Sequence, residues 1–401
     1  MPLASALLLF AACFGLTALL VQYALVLRHR RERALALPPG APRPGISILK
    51  PLCGADDDLE ANLEHFARLD YAGAYEVVLG VRDHRDSAFP VARAAVARWP
   101  QVFRLALQEG TPGLNPKVNQ LVTLADHARY DVFVISDSNT RVGPGYLEEI
   151  AAGFADPTVG CVTHPVAGIG ERSFGSLLDN LYLASSAAAG MIGAKRFANQ
   201  DIVVGKSMAL RREDVDSLGG FFSVRDVLAE DYVIGQWVTR KLGRRVVVAR
   251  TPVFNVSLGK SVGAFFQRYL RWSVIHRTAV TPPTYLAQSL LNPAPLAVFG
   301  AVLNPSPRTG VLALAVVVGK VLVDLAAFRA LRPQPVSAWA LPAVLVKDAL
   351  LYVAWWHGLF FRTVEWRGTR LRVGAGTRLL ARARASAVDT SLAPRDEWAA
   401  S

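Results

Sequence analysis

Cysteine is scarce in this sequence, which has only Cys13, Cys53 and Cys161 among its 401 residues. The three lie far apart and show none of the paired spacings that hold zinc or build a disulfide framework. The sequence therefore predicts neither kind of site, and a reducing compartment fits its composition. The chain also lacks an internal repeat, so its organisation must be found from segments of different character.

Charged residues are also few, at 19% of the chain, and the mean hydropathy of +0.28 is high for a purely soluble enzyme of this length. Residues 3–27 contain no charge, and a helix of that length can cross a bilayer core of about 30 Å. Arg28, Arg30, Arg31 and Arg33 follow at once and indicate the cytoplasmic side. A cleaved signal peptide would instead carry its charges before a shorter apolar run.

We therefore predict a transmembrane anchor over residues 1–28 and a basic, proline-rich linker over residues 29–44. The formal charge of +12 does not predict nucleic-acid binding, because the arginines concentrate beside apolar segments, where anionic lipid headgroups explain them. The expected location is the inner, cytoplasmic membrane with several crossings. The bilayer is thus an expected partner and nucleic acid is not.

A predicted membrane region, residues 281–365, contains three long apolar segments, at residues 285–303, 309–328 and 338–361. The basic tail, residues 366–401, should lie on the same side as the soluble domain, which requires an even number of crossings. We predict that the second and third segments cross. The first is interrupted by Pro293 and Pro295 and is predicted to be re-entrant or interfacial. The part of the tail after Ala385 lacks periodicity and is expected to be disordered.

Two of these segments carry charges, with Lys320 and Asp324 in one and Lys347 and Asp348 in the other. A lone charge at bilayer depth costs about 2.5–3.5 kcal/mol on insertion scales, so we expect these residues to pair. Lys320 and Asp324 are four residues apart and therefore share a helix face. A helix hairpin held by ion pairs is favoured over a transport path.

Residues 45–280 alternate short β-branched runs with helical patterns, which is typical of an α/β domain with a largely parallel sheet. The predicted strands are residues 46–50, 75–82, 102–107, 131–136 and 159–163. The predicted helices are residues 57–69, 87–99, 116–128 and 144–154. Residues 177–194, which are apolar and rich in small side chains, are predicted either to line a lipid entrance or to be buried core.

Two acidic residues follow predicted strands, where ligand crevices form in parallel sheets. Asp83 comes after the second strand and could bind a nucleotide, although a loop turn or helix cap uses Asp equally well. Asp137 follows the strand at 131–136, and Asn139 adds a second hard oxygen ligand. The pair suits a divalent cation, Mg²⁺ or Mn²⁺, that bridges two phosphates. An ordinary turn after a strand is the alternative.

Two further motifs lie near the end of this domain. Glu230 and Asp231 begin a predicted helix, where acids stabilise the helix dipole, and Asp231 could also act as a general base. Arg268, Arg271 and Trp272 lie on an amphipathic stretch, where arginines can bind diphosphate oxygens and Trp272 suits an acceptor pocket or the membrane interface. A juxtamembrane helix alone would explain the second motif. Together, the motifs favour group transfer from a nucleotide.

The order Asp83, Asp137, Asp231 and then 268–272 resembles the D, D, D, (Q/R)-x-x-R-W pattern of glycosyltransferases of the family 2 and 21 type. The ceramide glucosyltransferase branch is the most similar. Its opening strand, its NPK-x-N-N-L segment and its C-terminal motif resemble, in that order, residues 48–54 (ILKPLCG), 114–121 (LNPKVNQL) and 366–368 (WRG). The resemblance covers residues 3–375. Asn139 replaces the second acid of a D-x-D motif, which could lower metal affinity, and Gln120 replaces the second Asn of the NPK segment.

The resemblance implies a GT-A fold, which is a Rossmann-like mixed sheet, with transmembrane helices at both ends. It implies transfer of a hexose, glucose above all, from a UDP-sugar to a lipid hydroxyl, most simply that of ceramide, with inversion to a β-glycoside. Asp231 is then the base, and Asp137 and Asn139 bind the Mg²⁺ or Mn²⁺ ion. The remaining motif residues are expected to bind substrate: Asp83, Lys117, Glu230, Arg268, Arg271 and Trp272.

Three other functions stay open from the sequence. A hopanoid or other lipid glycosyltransferase would share every motif. A processive polysaccharide synthase is less favoured, because position 268 is Arg instead of Gln and the predicted spans are few. A catalytically silent membrane scaffold could keep the fold, since fold alone does not determine function, but every required acid and arginine is present.

Overall fold

The computed structural model describes residues 2–366 and 369–380. Its helices are α1 (Leu3–Arg31), α2 (Leu59–Ala67), α3 (Phe89–Arg98), α4 (Pro116–His127), α5 (Tyr146–Phe154), α6 (Phe174–Tyr182), α7 (Ala189–Ala198), α8 (Arg212–Ser217), α9 (Glu230–Arg240), α10 (Val262–Ala279), α11 (Pro282–Gln288), α12 (Pro293–Leu303), α13 (Pro307–Ala330) and α14 (Ala340–Phe360). A π-helical segment, Leu183–Ala188, joins α6 to α7.

The strands in the described residues are β1 (Ile46–Pro51), β2 (Tyr75–Val81), β3 (Phe103–Leu107), β4 (Val132–Ile135), β5 (Thr140–Arg141), β6 (Val159–Thr163), β7 (Val166–Ile169), β8 (Met208–Arg211), β9 (Arg245–Val248), β10 (Val253–Val256), β11 (Thr363–Trp366), β12 (Thr369–Val373) and β13 (Leu379–Leu380). Residues 381–401 of the predicted tail lie outside the described residues, as do Arg367 and Gly368 of the C-terminal motif.

Within the part of the chain that the structure describes, a seven-stranded sheet has the order β3-β2-β1-β4-β8-β6-β9. Six of these strands are parallel, and β8 is antiparallel to both of its neighbours, β4 and β6. Apolar clusters cover both faces, one around Ile48 and Val134 and the other around Leu49 and Phe133. The predicted α/β domain with a largely parallel sheet is confirmed.

The predicted strands are present as β1, β2, β3, β4 and β6, and each end differs by at most one residue from the prediction. The predicted helices are α2 to α5, and their ends differ by at most two residues. Local chemistry defines the start of α4, because the Asn115 side chain accepts hydrogen bonds from the backbone N–H groups of Lys117 and Val118, and Pro116 occupies the first turn. This cap fixes the backbone position of Lys117 in the first turn of α4.

Two smaller sheets accompany the main one, with the orders β5-β10-β7 and β11-β12-β13. The second of these comes after α14 and packs against the loop before α9, where Arg378 pairs with Val227 in an isolated bridge. The predicted tail beginning at residue 366 therefore contributes β12 and β13. The strands have a physical reason, because Leu371, Val373 and Leu379 are buried against Leu228 and Val274. The disorder predicted after Ala385 falls outside the described residues.

The helices α1, α13 and α14 are long and apolar enough to cross a membrane. The helical segments Pro282–Leu291 and Pro293–Leu303 form a pair bent by 79°, which suits a broken span or a re-entrant loop. The predicted anchor ended at residue 28, but α1 continues through Arg31. The continuation has a physical cause, since basic side chains in the last turn interact favourably with the helix dipole.

Four charged residues of α13 and α14 form what we call the lysine–aspartate ring. Lys320 Nζ lies 2.6 Å from Asp324 and 3.0 Å from Asp348, and Lys347 Nζ lies 2.7 Å from Asp324 and 2.8 Å from Asp348. Each side chain is at most 4% exposed. The expected pairing of Lys320 with Asp324 is therefore present, and the ring also joins the two helices.

Candidate active site

A cavity of about 2830 Å³ lies between the α/β domain and the apolar helices. Eight of the nine residues selected from the sequence line it: Lys117, Asp137, Asn139, Glu230, Asp231, Arg268, Arg271 and Trp272. They belong to α4, the loop after β4, α9 and α10, which are distant in sequence. The fold therefore brings these motifs to one place.

Asp83 is the ninth residue, and it does not line this cavity. It follows β2 as predicted, but its carboxylate is exposed and accepts a hydrogen bond from the backbone N–H of Arg85 at 2.8 Å. That contact is the turn-forming role of Asp considered from the sequence. Its nucleotide-binding role stays a prediction.

Asp137 and Asn139 lie in the loop after β4, and lysines surround them. Lys117 Nζ lies 3.0 Å from Asp137 Oδ1, and Lys206 Nζ lies 3.2 Å from Asp137 Oδ2 and 2.6 Å from Asn139 Oδ1. Lys50 Nζ donates to the carbonyl oxygen of Asp137 at 2.6 Å. Several positive charges thus surround one short acidic loop, which lies at the carboxyl edge of the sheet.

These contacts perturb the pKa values of the loop and its partners. Burial alone would raise the pKa of Asp137, but the ammonium groups of Lys117 and Lys206 outweigh it and hold that pKa well below its usual range. Burial alone would lower the pKa of Lys117, but Asp137, Glu230 and Asp231 outweigh it and raise that pKa. Lys50 lacks enough compensation, so burial lowers its pKa to about 7.

Asp231 has a different environment, because backbone groups hold its carboxylate. Its Oδ2 accepts from the N–H of Gly205 at 2.6 Å, and its Oδ1 accepts from the N–H of Tyr232 at 2.8 Å. Burial, together with the charge of Glu230, raises the pKa of Asp231 to about 6, against the opposing influence of Lys117. A carboxylate tuned upward in this way suits proton abstraction near neutral pH.

Glu230 holds Lys117 in position. Its Oε1 lies 2.9 Å from Lys117 Nζ, and its Oε2 accepts from Asn115 Nδ2 at 3.2 Å. With a 6% exposed side chain, Glu230 is the least accessible acid of the group. Its substrate-binding role stays a prediction, and the observed contacts make it a positioning residue for Lys117.

Gly205 allows Lys117 and Asp231 to approach each other. A Cβ atom at this position would lie 2.5 Å from Lys117 Nζ and 3.1 Å from Asp231 Oδ2. Lys117 cannot easily move away, because Asp137 and Glu230 hold its ammonium group. Glycine is therefore required here by a close approach.

The α10 motif also lines the cavity, but its two arginines differ. Arg268 Nη1 lies 3.3 Å from Asp179 Oδ2, and its guanidinium lies 5.1 Å from the centre of the Trp272 ring. Arg271 makes no side-chain hydrogen bond or ion pair among the described residues, and burial followed by the charge of Arg268 lowers its pKa to about 10. Arg271 therefore has donors available for an anionic ligand.

Several polar residues of the site were missed from the sequence: Lys50, Asp56, Asp179, Lys206 and Lys260. Asp179 accepts from Tyr269 at 2.7 Å and pairs with Lys260 and Arg268, while the Asp56 carboxylate accepts from Ser138. One signal was available for Lys206, because it is a lone charge between the apolar runs at 202–204 and 208–210. The strand register explains its position, since Met208 pairs with Ile135 and the residue two before it therefore lies beside Asp137.

Apolar residues of α1, the π-helical segment and α7 also line the cavity. Its lining includes Phe14, Val21, Leu183, Met191 and Ile192. Leu178 and Leu181 do not line the cavity and are fully buried in an apolar cluster. Part of residues 177–194 is thus buried core and part lines the cavity, whereas a lipid entrance at this segment stays a prediction. A π-helical interruption is often found at functional sites.

A divalent cation can be tested against these donors. The side-chain oxygens of Asp137 and Asn139 already share one positive charge, the Lys206 ammonium group, so they lie close enough to share a cation. Within residues 2–366 and 369–380, no group of three His, Cys, Asp or Glu residues could hold a metal ion. Two hard oxygens completed by phosphate and water are the kind of site that Mg²⁺ uses, so the residues fit the ion.

A family model described as glycosyl transferase family 21 matches residues 7–379. Ceramide glucosyltransferase 1 of Caenorhabditis elegans is 28% identical over 255 residues, which are 63% of this chain and 54% of that protein. A ceramide glucosyltransferase of Komagataella phaffii is 28% identical over 211 residues, which are 47% of this chain and 41% of that protein. The chain spans about half the length of the curated relatives it matches.

A solved structure is also similar, a mannosyltransferase from Pyrobaculum calidifontis in complex with GDP-Man and Mn²⁺. The match has a TM-score of 0.54 and 20% sequence identity, and it covers 89% of this chain and 99% of that one. At this identity the similarity concerns the fold. The GT-A fold predicted from the sequence is confirmed.

Proposed function

The chain belongs to glycosyl transferase family 21, and from this premise we propose that it transfers a hexose, glucose above all, from a UDP-sugar to a lipid hydroxyl. One observation supports this function more than any other. The same cavity is lined by a carboxylate with a raised pKa, by Arg271, which has no ion pair among the described residues, and by apolar residues of α1, which is long and apolar enough to cross a membrane. A water-soluble donor and a lipid acceptor can therefore meet in it. We propose ceramide as the acceptor, because the curated relatives are ceramide glucosyltransferases.

The donor diphosphate binds at the polar end. Arg271 supplies free guanidinium donors, and Lys117 and Arg268 add positive charge in the same cavity. Charge-assisted hydrogen bonds from such groups strengthen as negative charge develops on the leaving UDP. A divalent cation, Mg²⁺ or Mn²⁺, held by Asp137 and Asn139 would neutralise further diphosphate charge.

The chemistry is a single displacement. The acceptor hydroxyl oxygen forms a bond to the anomeric carbon while the bond from that carbon to the diphosphate oxygen breaks. Asp231 Oδ takes the hydroxyl proton, and UDP leaves with the electron pair of the broken bond. One base and one displacement invert the anomeric configuration, which gives a β-glycoside from an α-linked donor. The backbone N–H groups of Gly205 and Tyr232 hold the carboxylate in a fixed orientation for this transfer.

The acceptor enters from the membrane side. Phe14, Val21, Met191 and Ile192 line the cavity and would contact its hydrocarbon chains. The Trp272 ring lies 5.1 Å from the Arg268 guanidinium and meets Tyr182 edge to face at a centroid distance of 6.0 Å, so the two rings form an aromatic shelf in the cavity wall. We propose that the reacting hydroxyl passes this shelf to reach Asp231.

The membrane arrangement is part of the proposal. The backbone N–H of Leu228 donates to Thr377 at 2.9 Å, and that of Leu379 donates to Asp226 at 2.7 Å, so the chain after α14 returns to the α/β domain. This return supports an even number of crossings by α11 to α14. We propose an inner membrane protein with a cytoplasmic catalytic domain. A C-terminal reporter fusion that reads periplasmic would contradict this arrangement.

The test is transfer of radiolabelled glucose from UDP-glucose to ceramide by the purified full chain in detergent, with and without EDTA. We expect a labelled β-glucosyl lipid that depends on a divalent cation and is absent with the Asp231→Asn variant. Product with a hopanoid acceptor alone would change the acceptor and keep the reaction. A polymer product would instead indicate a processive synthase, and no transfer to any lipid from any UDP-sugar would favour a silent scaffold.

A further inference from the structure

Lys206 joins the two residues that are proposed to bind the cation. Its ammonium group donates to Asn139 Oδ1 at 2.6 Å and to Asp137 Oδ2 at 3.2 Å. The Lys206 side chain is 8% exposed, so this contact is shielded from bulk water. A positive charge therefore already lies beside the oxygens between which a divalent cation would bind.

The neighbouring lysines contact Asp137 in other ways. Lys117 bridges Asp137 Oδ1 to Glu230, and it makes no contact with Asn139 among the described hydrogen bonds. Lys50 donates to the backbone carbonyl of Asp137 and lies inside the sheet, where its side chain is fully buried. In the part of the chain that the structure describes, Lys206 is thus the lysine that contacts the side chains of both Asp137 and Asn139.

The position of Lys206 in the chain also matters. It directly follows Gly205, whose N–H holds Asp231, and it precedes β8, whose register with β4 brings it to the acidic loop. The lysine side chain carries its charge on a flexible four-carbon stem with three donors, so the ammonium group can change partners while the backbone stays in place. A diphosphate bound in the same cavity would offer it new acceptors.

We propose that Lys206 is a resident counter-ion, which occupies the cation position in the nucleotide-free protein and moves onto the donor diphosphate when the divalent cation binds. The inference rests on the proposed function, because it assumes a diphosphate donor and a cation at Asp137 and Asn139. A cation that arrives alone must displace the ammonium group without giving it a new partner. A cation that arrives with the nucleotide provides one, so the two ligands bind with positive coupling.

Asn139 contributes to this device. An amide oxygen is a weaker ligand than the second carboxylate of a D-x-D motif, and it is neutral, so the lysine can compete with the ion. The departure from the family pattern at Asn139 and the lysine at 206 then belong together. Their joint effect is to keep the cation out of the site until the donor is present.

The test measures Mn²⁺ binding to the purified full chain in detergent by electron paramagnetic resonance, without and with UDP. Lys206→Met removes the competing ammonium group, and Lys206→Arg keeps its charge. Lys195→Met is the matched control, because it removes an ammonium group that lines the same cavity but is held by Asp201 at 2.7 Å. Thermal unfolding verifies that each variant is folded.

Without UDP, we expect Mn²⁺ affinity to rise about tenfold to a hundredfold in Lys206→Met, which is the range of typical coupling between two ligands. It should stay near the wild-type value in Lys206→Arg and in Lys195→Met. With UDP, wild-type affinity should rise, and the difference between wild type and Lys206→Met should shrink.

Equal Mn²⁺ affinity of wild type and Lys206→Met without UDP would overturn the inference and leave the transferase function untouched. The same holds if Lys195→Met gains as much affinity as Lys206→Met, because a general charge effect would then explain the gain. If no protein binds Mn²⁺ even with UDP, the inference fails together with the cation part of the proposed function. Transfer from UDP-glucose in EDTA then decides the remaining part separately.

Discussion

Two buried clusters of lysines and carboxylates occur in this molecule, and they differ in one respect. In the lysine–aspartate ring of α13 and α14, each lysine contacts both aspartates, and the charges are equal in number. In the polar end of the cavity, Asp231 has no ion pair among the described residues, and Arg271 has no anionic partner there. The ring is complete by itself, whereas we propose that ligands complete the cavity cluster.

The difference indicates how to tell structural from functional charges in a membrane-associated enzyme. Both clusters satisfy the requirement that buried charges be paired or hydrogen-bonded. In the ring, removal of one partner leaves an uncompensated charge and should cost stability. In the cavity, Asp231 and Arg271 have no ion pair among the described residues. Substitution there should therefore reduce ligand binding or the transfer rate instead of stability.

The largest effect should come from Asp231→Asn. The variant keeps the shape of the side chain but cannot take the acceptor proton, so we expect the transfer rate to fall about 10²–10⁴-fold. Thermal unfolding should be unchanged or slightly improved, because the fold disfavours the ionised form of this residue. Full activity of the variant would show that the base lies elsewhere, and a large loss of stability would remove the contrast with the ring.

Lys347→Met should have the next largest effect, and it should act on stability. It leaves Asp324 and Asp348 sharing Lys320, and breaking a buried pair costs about 3–5 kcal/mol. The double variant Lys347→Met with Asp348→Asn keeps the neutral Lys320–Asp324 pair and should recover much of that loss. Unfolding temperatures in detergent measure both effects. Equal destabilisation by the single and double variants would contradict the idea of a balanced ring.

The pH dependence of transfer should follow Asp231. Its pKa is raised to about 6, so the base is ionised above that value and protonated below it. We expect activity to rise with pH through about 6 and to be about tenfold lower at pH 5 than on the plateau. The effect on folding stability has the opposite sign. The pKa of this carboxyl is higher in the folded protein than its ordinary 3.8, so its ionisation lowers the free energy of unfolding as the pH rises. A rate that is flat from pH 5 to pH 8 would contradict the assignment.

The smallest effect should come from Asp83→Asn. This residue lies outside the cavity lining, and the sequence predicts a nucleotide contact for it. Loss of one hydrogen bond of about 1 kcal/mol should raise KM for UDP-glucose about fivefold and leave kcat unchanged. Steady-state kinetics measure the two constants separately. No change in KM would mean that Asp83 only stabilises the turn with Arg85. The substrate-binding residues would then be confined to the cavity lining.

Sequence reasoning found the elements and most of the acids for the same reason. Strands and membrane helices have strong hydrophobic patterns, and Asp137 and Asp231 follow or begin such elements. It did not find Lys206 or Asp179, because their roles depend on pairing between distant segments. The insertion of the antiparallel β8 between β4 and β6 brings Lys206 to Asp137, and the order of elements along the chain does not reveal this insertion.

The C-terminal sheet is a second case. Residues 369–380 have short, basic and apolar stretches without a clear period, so no strand was predicted there from the sequence. Their order comes from partners far earlier in the chain, since Leu371 and Val373 are buried with Leu228 and Val274. Such contacts are visible only after the chain has folded in three dimensions.

The contact between Thr377 and the loop before α9 also has a consequence for synthesis. The backbone N–H of Leu228 donates to the carbonyl oxygen of Thr377, and that of Ala229 donates to the Thr377 hydroxyl oxygen. Ala229 lies two residues before Asp231. The ribosome makes Thr377 after every apolar helix, whereas the N-terminal domain can fold first. The catalytic loop therefore gains its last support only when the membrane region has been made and inserted. A nascent chain that ends before Thr377 would contain Asp231, Arg268 and Arg271 and still lack this support, so the site is finished only after the membrane helices have been made.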